Sequence, residues 1–286
     1  MKLAGVVTCL LMIAQASNAN ADIPVVWSLA KHSRDKNLIS KPATLQYTFP
    51  DNGRSSYSID GALKATFLPD NSDCEYSLAI EDHKNSLIDK KQDSLSAVLG
   101  VETSVGDLET KGYVLIPDVS VAYNSDRVKK NSSLLIIGQL SAAHGRLGIN
   151  KLKGNDIIKA YWVPTIGVEY RNVLDSEDDI TGNVTRSYVN VAATVYPLYE
   201  VLDNGRLSIT ISFTNWLDLS ESSAIDSGAD SHDLFKCGIS WELTDKPPEG
   251  TKKISVTLGL EWLDGEDLRD NKEQQRYGQV SLGFKY

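Results

Sequence analysis

Arg276-Tyr277-Gly278-Gln279-Val280-Ser281-Leu282-Gly283-Phe284-Lys285-Tyr286 sets the pattern for the whole chain. Val280, Leu282, Phe284 and Tyr286 fall on one face, and Tyr277, Gln279, Ser281, Gly283 and Lys285 on the other. Period-two alternation of this kind describes a strand with one apolar and one polar face. The last residue is itself aromatic and belongs to the apolar face.

The same alternation recurs upstream. Ala43, Leu45, Tyr47 and Phe49 alternate with Thr44, Gln46 and Thr48, and Pro50-Asp51-Asn52-Gly53 is a turn signal. Tyr57, Ile59, Leu63, Ala65 and Phe67 form the next apolar face. Leu207, Ile209, Ile211 and Phe213 give the clearest strand, against Ser208, Thr210, Ser212 and Thr214. Ser132–Ala143 is ambiguous, because Leu134–Ile137 is apolar on both faces. The pattern predicts twelve strands in all, with no convincing helical stretch between them. Pro117, Pro164 and Pro197 fall inside strands, where each removes a ladder donor, so they read as bulge or rim positions.

These strands, and the closing one above all, resemble bacterial outer-membrane β-barrels, whose last strand ends in an aromatic that the assembly machinery reads. The resemblance implies an all-β fold: a closed antiparallel up-and-down transmembrane β-barrel of about twelve strands in the cell outer membrane, with periplasmic termini. It implies contact with outer-membrane lipid and lipopolysaccharide, and with the barrel-assembly machinery through the C-terminal strand. The residues themselves point the same way. Tyr57 and Phe67 lie at the two ends of one apolar face, as do Tyr113 and Tyr123. Ten tilted residues span roughly 25 Å, the height of the apolar band between two aromatic girdles. The opposite face is too rich in Ser, Thr, Gly and charged residues for a packed interior. The connections Pro50–Ser55, His83–Asp93, Asn124–Asn131, Asn172–Val184, Leu217–Ser231 and Asp264–Gln275 are expected on the outer side, mostly longer and more acidic than the inner ones. His144–Asp156 is the inner exception.

Length and composition fit this reading. The chain has 286 residues, enough for one large all-β domain. Residues 1–21 read as a cleaved secretory signal, with Lys2 at the start, an apolar Ala4–Ala14 and a small-x-small site at Ala19-Asn20-Ala21. Residues 22–41 are a periplasmic lead-in, a partial plug or an extra strand, and 42–286 the barrel. No apolar run approaches the roughly 18 residues of a spanning helix. The net charge of −9 disfavours nucleic acid as a partner. Cys74 and Cys237 fall on non-neighbouring strands facing lipid, so no disulfide is expected.

A barrel of this strand number has a backbone radius of roughly 12 Å, and side chains narrow it to about 10 Å or less, or fill it. The expected lumen carries the acids Asp60, Glu75, Glu81, Glu102, Asp118, Glu169, Glu242 and Glu261 and the bases Lys64, Lys159, Arg171, Arg206, Lys236 and Lys285. Charges of both signs across a narrow lumen orient small polar solutes. The function expected is therefore a passive, porin-like channel for small polar solutes, with no cofactor, no metal and no catalytic residue. An enzyme acting on lipid or lipopolysaccharide is the first alternative, through His83 or His232 near the outer rim. However, no Gly-x-Ser-x-Gly accompanies them, and solvated loop histidines are the simpler reading. A closed structural or surface-binding barrel is the second alternative. Asp175-Ser176-Glu177-Asp178-Asp179 reads as a solvated acidic loop before it reads as a Ca²⁺ site.

Overall fold

The computed structural model describes residues 25–30, 43–50, 56–69, 74–85, 92–109, 111–128, 130–175, 181–202, 205–222, 231–244, 255–267 and 272–285. The proposed leader, residues 22–24, all of 31–42, the acidic run 176–180 and Tyr286 lie outside the described residues.

Among the described residues there are fifteen strands: β1 (Val25–Ala30), β2 (Ala43–Pro50), β3 (Ser56–Phe67), β4 (Cys74–Asn85), β5 (Gln92–Thr103), β6 (Val105–Asp107), β7 (Tyr113–Asp126), β8 (Asn131–His144), β9 (Lys153–Gly154), β10 (Ile158–Asp175), β11 (Gly182–Pro197), β12 (Leu207–Glu221), β13 (Ser231–Glu242), β14 (Ser255–Asp267) and β15 (Lys272–Lys285). The twelve expected from the pattern are joined by β1, which falls in the 22–41 segment left open between lead-in, plug and extra strand, and by the short β6 and β9. All pair antiparallel in a single up-and-down sheet. β3 bonds to β4 along one edge. Along the other it bonds to β2, from Thr44↔Asp60 to Thr48↔Ser56, and then to β1, from Ala30↔Ala62 to Val25↔Phe67. β2 in turn bonds to β15.

Alternation fixes which side chains share a face. Ile211, Cys237 and Trp262 stand in one register row on β12, β13 and β14, and both Ile211 and Trp262 are exposed. Leu45, Leu63, Ile80, Leu99, Val119, Ile166, Val189 and Leu260 are likewise exposed. The opposite face is buried although it holds Asp60, Glu81, His83, Glu169, Arg171, Arg186 and His232. Both described cysteines are free, as expected. Leu134–Ile137 resolves cleanly: Leu135 and Ile137 are buried on the inner face and Ile136 is exposed on the other. They join Ala79, Val98, Ala122, Tyr188, Trp216 and Leu234 in one apolar cluster.

Two expectations are corrected. Register runs unbroken through Pro117↔Leu140 and Pro164↔Val191, so neither proline makes a bulge. Each sits where the other edge of its strand is interrupted. β5 stops opposite Asp118 and β6 begins opposite Leu115; β8 stops opposite Thr165 and β9 lies opposite Lys159 and Ala160. A missing N–H is tolerated at such a gap. The register shifts lie elsewhere, at Val173/Asp175, Thr185/Arg186 and Gly265/Asp267. The second correction concerns the connections. The strands run on into the predicted outer loops, leaving only 51–55, 86–91, 127–130, 176–181, 222–230 and 268–271 there. At the other end 68–73, 104–112, 145–157, 198–206 and 243–254 remain, so the longer connections are not on the side expected. Polar residues beyond the apolar belt read as loop although they still pair.

Candidate functional site: the buried polar face

The inner face is built in rows, because residues opposite each other on neighbouring strands point the same way. One row runs Asp60, His83, Ser94, Asp126 across β3, β4, β5 and β7. His83 Nδ1 lies 3.1 Å from Asp60 Oδ1, and Nε2 lies 3.5 Å from Glu81. Across the sheet, Arg186 Nε donates to Asp218 Oδ1 at 2.6 Å and its Nη2 is 4.0 Å from Glu221. His232 Nε2 is 3.1 Å from the other Asp218 oxygen, and its Nδ1 contacts Glu266. Both histidines are thus buried between carboxylates, rather than solvated in loops as the sequence suggested.

Below these ionic rows lies the apolar layer. Ala79, Val98, Ala122 and Leu135 form a continuous row over β4, β5, β7 and β8. Tyr188 reaches from β11 across β10 to donate its hydroxyl to Gln139 Oε1 at 2.8 Å, and Gln139 Nε2 donates to Asp118 at 3.1 Å. The path passes over Gly167, where a Cβ would meet the Tyr188 ring at 2.6 Å.

The fourteen residues expected to line a lumen are placed as follows. Asp60, Glu81, Glu169 and Arg171 are buried on the inner face. Even steps along their strands put Lys64 on the face of Asp60, Glu75 on that of Glu81, and Lys159 on that of Glu169. Glu102 and Asp118 are register partners, and Glu75 pairs with Glu102, so three acids stand side by side. Lys236 and Glu242 share the parity of buried His232 and Leu234, and Glu261 bonds to buried Gln279. Arg206 sits in the turn before β12, where its carbonyl accepts from Glu242 N. Lys285 ends β15 opposite Ser255. β3 to β7 hold acids with Lys64 the exception, whereas β10 to β13 mix the bases Lys159, Arg171, Arg186 and Lys236 with the acids Glu169, Asp218, Glu221 and Glu242. Lys159 Nζ caps the Tyr199 ring at 3.9 Å, beside the Tyr161–Tyr196 contact.

Sequence reasoning missed Asp126, Arg186, Asp218, Glu221 and Glu266, all assigned to loops or left aside. A signal for Asp218 was present, since Leu217 and Leu219 prolong the alternation of Ile211 and Phe213. Among the described residues no group of three or more His, Cys, Asp or Glu could hold a metal ion.

No family model matches the chain, and no curated protein matches it. Its structural neighbours are outer-membrane β-barrel proteins. The NanC porin matches at 11% identity over 85% of this chain and 98% of its own, with a TM-score of 0.44. The translocator domain of the autotransporter NalP from Neisseria meningitidis matches at 11% over 99% and 95%, TM-score 0.39. The anion-selective porin from Comamonas acidovorans matches at 10% over 93% and 99%, TM-score 0.37. These likenesses extend to the general layout of strands and no further.

Proposed function

We propose that the chain is an outer-membrane β-barrel that acts as a narrow passive channel for small polar solutes, preferring cations. The observation that carries this is inverted burial: Leu260, Ile166 and Leu63 are more than half exposed while Glu169, Glu81 and His232 are below 5%. An apolar belt this extensive is costly against water and required against lipid. The pairings support a closed sheet. Starting at β2, they lead through β3, β4, β5, β7, β8, β10, β11, β12, β13, β14 and β15 back to β2. A ring of twelve strands leaves no edge in hydrocarbon, where every backbone group needs an internal partner.

Orientation is read from the belt. Outward positions near the 176–181 end mix the polar residues Asn183, Asp233 and Arg276 with exposed Leu174, Leu217 and Leu219. At the opposite end they stay apolar to the last turn, with Tyr113, Trp162, Trp241 and Phe284 exposed. We take the end with the polar positions as the outer one, a reading that puts both termini in the periplasm, where β15 would meet the assembly machinery. Lipid and lipopolysaccharide then cover the belt. The pore-lining set named above, enlarged by Asp126, Arg186, Asp218, Glu221 and Glu266, still holds more carboxylates than bases, and acidic walls favour cations.

Single-channel conductance in a planar bilayer across a salt gradient tests this reading. Steady conductance with a cation-favouring reversal potential is expected; an anion-favouring sign contradicts the charge assignment. One observation favours the closed structural barrel as a second reading: Leu135, Ile137 and Trp216 are at most 2% exposed in mid-wall. Silence from a folded, heat-modifiable barrel would select it.

A further inference from the structure

Residues 145–157, which join β8 to β10, carry Arg146, Lys151 and Lys153 against one acid, Asp156, in a protein of net charge −9. This basic connector lies in the barrel wall. Where β8 and β10 part below Ser141 and Thr165, Ile149 bridges both His144 and Trp162, and Lys153 of β9 pairs with Ala160. Trp162 is outward and exposed, and its indole Nε1 donates to the Leu147 carbonyl at 3.0 Å. That bond holds the 145–148 tip against the outer surface of the barrel. Lys153 stands on the same surface, because its partner Ala160 is two residues from Trp162.

Three cations meet at this tip. Lys153 Nζ donates to the Arg146 carbonyl, and a methyl group on Gly145 would lie 3.6 Å from Lys151 Nζ. All three side chains are exposed, and among the described residues none of them is ion-paired with a carboxylate. Like charges gathered in this way repel unless an anion answers them. The local backbone is shaped by positive φ at Gly148 and Asn150, and by Asn155 Oδ1, which accepts from the N–H groups of Ile157 and Ile158. The surface around the cations is apolar. Leu147, Ile157 and Ile158 are each more than half exposed, and they continue the belt of Val195 and Ile166.

Cations ringed by apolar side chains fit a molecule with phosphate at one end and hydrocarbon at the other. A soluble phosphate would leave Leu147 and Ile157 in water. A zwitterionic headgroup would bring its own cation to the same place, so an anionic one is favoured. We propose that the 145–157 connector binds an anionic phospholipid of the periplasmic leaflet, such as phosphatidylglycerol. Arg146, Lys151 and Lys153 hold the headgroup phosphate, and Leu147, Ile157, Ile158 and Trp162 pack along the acyl chains. The assignment rests on the membrane-barrel reading and its orientation, and not on conduction.

The test is native mass spectrometry of the full chain, refolded in detergent, with phosphatidylglycerol and phosphatidylcholine of matching acyl chains in competition. The wild-type chain should retain phosphatidylglycerol in preference, each cation contributing about fivefold. Arg146→Gln, Lys151→Gln and Lys153→Gln combined should abolish the preference. Lys111→Gln, in the inner connection 104–112, should leave it unchanged. Each variant is first checked for heat-modifiable mobility, and Lys151→Gln alone, expected to lose about fivefold, carries the test if the triple variant does not fold. Equal retention of the two lipids by the wild-type chain overturns the assignment, as does an undiminished preference in the triple variant. An equal drop in Lys111→Gln means that overall charge draws the lipid, and overturns it as well. A preference for lipopolysaccharide over phosphatidylglycerol, lost in the triple variant, overturns the choice of lipid and inverts the orientation. A chain that stays monomeric in water without detergent removes the membrane barrel itself, and the site with it.

Discussion

At Gly167 a missing side chain decides a contact between three strands. The Tyr188 ring lies over that backbone to reach Gln139, and a methyl group at 167 would stand 2.6 Å from three of its atoms. Gly167→Ala should therefore cost about 1–3 kcal/mol, as overpacking does. Urea unfolding of the barrel in detergent measures it. Adding Tyr188→Ala to Gly167→Ala removes the clash, so the double variant should lose less than the sum of the two single losses. Additive losses would mean that the ring does not lie over residue 167. Arg186 makes the complementary point about charge: it is held by Asp218 and Glu221, with His232 on the far oxygen of Asp218. Buried ions are tolerated when each is answered by an opposite charge.

Among the elements, the proline positions separate strands that can spare a donor from strands that cannot. Ile211 on β12 is paired on both sides, with Ala193 and Cys237. Ile211→Pro should abolish a ladder bond inside hydrocarbon and prevent the barrel from acquiring heat-modifiable mobility. Pro164→Val, at the gap between β8 and β9, should leave the denaturant midpoint nearly unchanged. A large effect at Pro164 with tolerance at Ile211 would contradict the register. The element scale is also where the sequence was most legible. Val280, Leu282 and Phe284 against Tyr277, Gln279 and Gly283 alternate as read, with Tyr277, Gln279 and Gly283 buried. Strand ends were less legible, for a physical reason. Once a strand leaves an apolar environment its outward residues no longer need to be apolar, so Asn172, Asn183 and Asp264 carry no period-two signal although they pair. Glu266 was hidden in the same way, at the register shift between Gly265 and Asp267, whereas Asp218 was legible from Leu217 and Leu219 and was passed over as loop, and with both went the setting of His232.

Across the whole molecule, the sequence suggested a face polar in most strands, and the structure holds an apolar layer within it at the level of Leu135, Ile137, Tyr188 and Trp216. Alternation assigns faces but does not reveal which inward residues meet across a sheet. That is why Leu134–Ile137 was ambiguous when read locally. β1 was open for a similar reason: Val25–Ala30 has no turn partner, and only the vacant lower edge of β3 gives it a place. The account as a whole depends on which face meets lipid, and the chain carries a reporter for it. Cys237 lies in the outward row between Ile211 and Trp262. With Cys9 and Cys74 changed to serine, an environment-sensitive fluorophore on Cys237 in vesicles should be quenched by brominated acyl chains and protected from aqueous iodide. Iodide quenching with no response to brominated lipid would place that face in water and contradict the membrane barrel.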